Sequence, residues 1–83
     1  MVKSKRFRVD YGDSFEFEAD SWDGVVAQLR ARHRMPGKDE EVFRRRLALE
    51  MVEYGGGIVY FDSNEKLARS MHRLGYLVEL PVE

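Results

Sequence analysis

With 83 residues the chain has room for one domain, spanning 1–83, and for one core. It contains no cysteine, which excludes disulfides and thiolate metal sites. Charged residues make up 35 % of it, but 14 Lys and Arg stand against 15 Asp and Glu. That balance argues against a globally basic nucleic-acid binder and against a strongly acidic polyanion mimic, while leaving room for a local patch. No apolar run approaches the roughly 18 residues of a membrane span, and no signal-type apolar stretch follows the basic start from Met1 to Arg8. The expectation is a cytoplasmic chain with no membrane partner.

The chain opens with two alternating segments. Phe7, Val9 and Tyr11 are the apolar set of the first, and Phe15, Phe17 and Ala19 that of the second. A period of two with one polar face marks half-buried strands, and Gly12-Asp13-Ser14 between them reads as a hairpin loop. Cross-strand neighbours share a sheet face, so a two-residue loop that sets Val9 against Glu16 is rejected. Two registers keep the faces pure. Tyr11 opposite Phe15 sets Arg8 against Glu18, and Val9 opposite Phe15 sets Arg8 against Glu16.

A helix follows, capped by Asp20 or Ser21 and ended by Met35-Pro36-Gly37. Trp22, Val25, Val26, Leu29 and His33 fall within about 100° of arc on it. Asp39 caps a second helix, which runs to about Tyr54 and stops at Gly55-Gly56-Gly57. Its apolar residues cover most of the circumference, which predicts a helix sandwiched between layers or buried at an interface. Ile58 to Phe61 is apolar on both faces and reads as a central strand. Asp62 with Glu65 forms an Asp-type capping box for a third helix, whose stripe is Leu67, Met71 and Leu74. Gly75 is its terminator, Tyr76 to Leu80 the last strand, and Pro81 the stop. The predicted fold is an α+β two-layer sandwich, with a mixed four-stranded sheet in the order β-β-α-α-β-α-β and helices mainly on one face. If its two strands are parallel, the closing strand-helix-strand unit crosses over right-handedly.

Chemistry-bearing groups are few. His33 and His72 lack the companions a metal site needs. Six acidic residues lie between Asp10 and Asp23, and only Asp10 and Asp13 have no role in the hairpin or the helix start. The glycine triplet follows a helix and precedes a strand, the reverse of a phosphate cradle, and sits at the negative end of the helix dipole. Arg44, Arg45 and Arg46 fan about 100° apart and form no single patch; Arg46 is placed to pair with Glu50. Lys66, Arg69 and Arg73 do align, within about 60° on the outer face of the third helix. Arg30, Arg34 and Lys38 make a smaller basic group.

No catalytic residue, metal site or cofactor is assigned. The expected function is a non-enzymatic protein-interaction module: an adaptor, an oligomer subunit, or an inhibitor of a larger machine, such as an anti-CRISPR protein of a phage or mobile element. Its interface candidates are Tyr60, Arg6, Arg8, Glu16 and Glu18 on the open face of the sheet, with a protein partner or self-association. The alternative is nucleic-acid binding through Lys66, Arg69 and Arg73.

Overall fold

A computed structural model describes residues 4–10, 14–33 and 36–81. Tyr11, Gly12, Asp13, Arg34 and Met35, which enter the sequence reading above, lie outside them. The alternation at the start of the chain becomes an antiparallel pair, β1 (Lys5–Val9) and β2 (Phe15–Ala19). Of the two face-pure registers the structure has Val9 opposite Phe15, which sets Arg8 against Glu16 and Arg6 against Glu18. The rings of Phe7 and Phe17 stack across the pair at 5.7 Å.

Three helices follow: α1 (Trp22–Arg32), α2 (Glu40–Gly55) and α3 (Asn64–Arg73). Their caps are Ser21, Asp39 and Ser63, and each side chain accepts a hydrogen bond from the amide three residues on. Ser63 therefore replaces the expected Asp62, whose carboxylate turns to Lys66 instead. At the far end of α3, the Tyr76 amide reaches the Met71 carbonyl and the Gly75 amide that of His72. This paired closure needs a left-handed residue between, and Gly75 supplies it at φ +85°. It turns the chain into β3 (Leu77–Leu80).

Among the described residues the sheet has three strands in the order β2-β1-β3, both neighbours antiparallel to β1. One face holds Phe7, Val9, Phe17, Ala19 and Leu77, all buried under the helices. The helix layer contributes Val25, Val26 and Leu29 from α1, Phe43, Leu47 and Met51 from α2, and Leu67 and Met71 from α3. The α+β sandwich with helices on one face is as predicted.

Two expectations fail. Residues 58–61 form no strand, so the sheet is neither four-stranded nor mixed, and there is no parallel closing crossover. Side chains meet the segment's backbone where a ladder would: the Tyr60 amide donates to Ser70 Oγ at 3.0 Å, and the carbonyls of Ile58 and Phe61 accept from Arg73 and Arg44. Val59 points into the core, while Ile58 and Tyr60 stay exposed. Of the two settings predicted for α2, sandwiching between layers does not occur. The helix buries one face only, and Leu49, Val52 and Tyr54 remain exposed.

Adjacent residues of α2 test this one-sided burial. Met51 is fully enclosed and Val52 is 44 % exposed. Met51→Ala is expected to cost about 2–5 kcal/mol, and Val52→Ala no more than about 0.5 kcal/mol. Urea unfolding of both variants measures the contrast.

Candidate functional site

The residues predicted to share the open face of the sheet do not all meet there. Arg6, Arg8, Glu16 and Glu18 do lie on that face, joined by half-buried Val78 and Leu80 of β3. Their charges are largely satisfied: Arg6 pairs with Glu16 at 3.1 Å, and Arg8 reaches both oxygens of Asp10 at 3.0 and 3.2 Å. The Asp10 contact raises the Arg8 guanidinium above its already high ordinary pKa. Ser14 also donates to Asp10, so this carboxylate, unassigned in the sequence, has partners.

Tyr60 is elsewhere. Because residues 58–61 run beside α3 and not within the sheet, Tyr60 joins the basic stripe of that helix. Gly57 lies against Leu74, the Tyr60 amide meets Ser70, and Arg44 bridges the Phe61 carbonyl to Asn64. The segment thus runs antiparallel to α3. It brings Tyr60 to Arg73, whose guanidinium lies 5.9 Å from the ring centroid.

The other end of the stripe meets Trp22, the first residue of α1. The Arg69 guanidinium lies 5.8 Å from the centre of its indole, and the same ring leans on Phe7 at 6.3 Å. Trp22, Tyr60, Lys66, Arg69, Arg73 and Glu79 together line a groove of about 660 Å³ along the flank of α3. The sequence reading placed Trp22 in the apolar arc of α1 and did not single out Glu79. The one available signal was position: Trp22 follows the cap directly, at the rim of the helix layer.

Charge in the groove is mostly compensated. Lys66 pairs with Asp62 at 2.9 Å, Arg69 with Glu65 at 3.0 Å, and Glu79 with Lys5 at 3.5 Å. The Lys66 hydrogen bond holds the Asp62 carboxyl below the usual carboxylate range and raises the Lys66 ammonium. Arg73 differs. The contacts it makes among the described residues are with the Ile58 carbonyl, a neutral acceptor, and the Tyr60 ring.

Arg44, Arg45, Arg30 and His33 have structural employment, and His72 lines the groove. Arg44 holds Phe61 and Asn64 and is more than a solvated edge residue. Arg45 pairs with Glu41, and Arg30 donates to the Gly37 carbonyl at 3.1 Å. His33 ends α1, with Nε2 3.1 Å from the Glu50 carboxylate and its ring edge-on to Phe43. Among the described residues no three His, Asp or Glu side chains gather as metal ligands. None of the described helices is long and apolar enough to cross a membrane.

Ser70 is buried, and its hydroxyl positions Tyr60. Ser70→Ala is expected to cost about 1 kcal/mol and to speed hydrogen exchange at the Tyr60 amide, read by NMR. The Asp62–Lys66 pair gives a pH signature. With the folded pKa of Asp62 lowered, its small contribution is present above the unfolded value of about 3.9 and is lost as pH falls through the lowered one. Titrating the Asp62 carboxyl carbon shift in the wild type and in Lys66→Met checks this, and the variant's midpoint is expected to be higher. No protein-family model, curated protein or solved structure matches this chain.

Proposed function

We propose that this chain is a non-enzymatic protein-interaction module that binds through the groove beside α3, as an adaptor, an oligomer subunit or an inhibitor of a larger machine. The observation that carries this reading is the pairing of aromatic and guanidinium groups around one concavity, half-buried Trp22 with Arg69 and exposed Tyr60 with Arg73. Trp, Tyr and Arg are the residues that dominate binding energy at protein interfaces, and concavities that exclude water are where they do so. The described groups with shifted pKa values, Arg8, Asp62 and Lys66, are exposed ion-pair members accounted for by their partners, so none requires a catalytic role. The anti-CRISPR inhibitors of mobile elements remain one class that a module of this size suits.

The same rings give nucleic-acid binding a specific basis, since aromatic faces beside arginine stack the bases of single strands. Charge favours the protein reading. A polyanion draws its affinity from several uncompensated cations, and Lys66 and Arg69 already have carboxylate partners within their own helix.

A photo-crosslinking residue in place of Tyr60, with a second at Glu18 on the open sheet face as control, tests both readings in the native host. The expected result is a discrete protein adduct from position 60 and none from position 18. Adducts to nucleic acid alone would support the alternative. Absence of any adduct from position 60 would count against the groove as the binding site.

A further inference from the structure

The ladder between β1 and β3 fixes the direction of every backbone group on β3. The Asp10 amide donates to the Tyr76 carbonyl at 2.9 Å, and these residues stand opposite one another in the register that pairs Val9 with Leu77. In an antiparallel ladder, hydrogen-bonded pairs alternate with pairs that point away from each other. Arg8 with Val78 and Arg6 with Leu80 are therefore the bonded pairs. Leu77 and Glu79 turn their N–H and C=O groups away from β1, toward the outer edge of the sheet. Among the described residues no strand and no loop backbone pairs with that edge.

This edge adjoins the groove. Glu79 is part of its wall, on the sheet face that the helices cover, while Val78 and Leu80 lie half-buried on the opposite face. A chain laid along β3 would alternate in the same way. One set of its side chains enters the groove between Trp22 and Tyr60, and the other set rests beside Val78 and Leu80.

Charge sets what the first set carries. Of the cations that line the groove, Lys66 and Arg69 have carboxylate partners, and the Glu79 carboxylate has Lys5. Arg73 has no carboxylate among the described residues; its guanidinium meets a carbonyl and an aromatic ring. Counting the described residues, with His72 of the lining neutral, the groove is short of one negative charge, which a single carboxylate supplies and a polyanion oversupplies.

We propose that the free edge of β3 takes an extended peptide as a fourth strand, with an acidic side chain of that peptide on Arg73 and apolar side chains alternating with it. Main-chain bonds to Leu77 and Glu79 supply affinity, and the groove supplies specificity, as in other strand-addition complexes. This inference rests on the protein-binding reading of the groove.

The test is a displayed library of random dodecapeptides selected on the folded full chain, followed by anisotropy measurements on synthetic versions of the selected peptides. Acidic peptides with alternating apolar residues are expected. Their addition should slow hydrogen exchange at the Leu77 and Glu79 amides of the wild-type protein, a readout that needs no variant. Glu79→Pro removes an outward amide that β1 does not use, so the fold should persist by circular dichroism while affinity falls about tenfold or more. Arg73→Glu should weaken the acidic peptide about tenfold and favour its lysine counterpart.

Exchange at Leu77 and Glu79 unchanged by a bound peptide would overturn strand addition, and so would peptides without acidic residues. Failure to select any peptide would do the same, as would Arg73-dependent binding of single-stranded oligonucleotides in its place. A protein adduct from position 60 that survives both substitutions would leave the protein-binding reading standing while this inference fails.

Discussion

The helix layer is held in register by one buried amide. Asn64, 8 % exposed, opens α3 and stands between two charged groups. Its nitrogen donates to the Asp23 carboxylate on α1 at 2.9 Å, and its oxygen accepts from Arg44 on α2 at 2.8 Å. Asp23 can only accept and Arg44 can only donate, so the amide has one allowed orientation. A hydrophobic residue there would fill the space but remove the hydrogen bonds to both Asp23 and Arg44, leaving Arg44 with the Phe61 carbonyl alone among the contacts of this network. Through Arg44 the same network grips the Phe61 carbonyl, and with it the segment that presents Tyr60.

That grip explains why the groove exists. A segment of four consecutive apolar residues would ordinarily complete the sheet beside β3. Here Arg44, Ser70 and Arg73 occupy its backbone groups, and Val59 anchors it to the core on its own. The concavity is lined by Tyr60 of this segment, by the flank of α3 and by Glu79 of β3. Site and fold are thus one problem: the side chains that keep residues 58–61 out of the sheet also arm the groove.

The parts legible in the sequence were those set by neighbours close along the chain. Alternation named β1, β2 and their inward residues, face purity cut the register to two, and Ser21, Asp39 and Gly75 mark helix ends by local chemistry. The Lys66, Arg69 and Arg73 stripe follows from helical spacing alone. What escaped depends on partners far along the chain. Nothing near Ile58 announces that Arg44 and Arg73 will bind its segment, and nothing near Trp22 announces Arg69. Asp62 and Ser63 are both good caps, and the choice fell to Ser63 because Lys66 engages the neighbouring carboxylate. Tyr60 was assigned to the wrong surface for the same reason as its segment: composition suggested a strand where side chains had displaced the ladder.

The position of β3 has a kinetic consequence. Its sole strand neighbour among the described residues, β1, comes from their opposite end, so this pairing closes a loop around nearly all of them. The β1–β2 hairpin and the three helices need only short closures and can form early; β3 must wait for them, and it gains hydrogen bonds on one side only. The last element to be gathered in is then the least tied down, and the first to let go during partial opening of the native state.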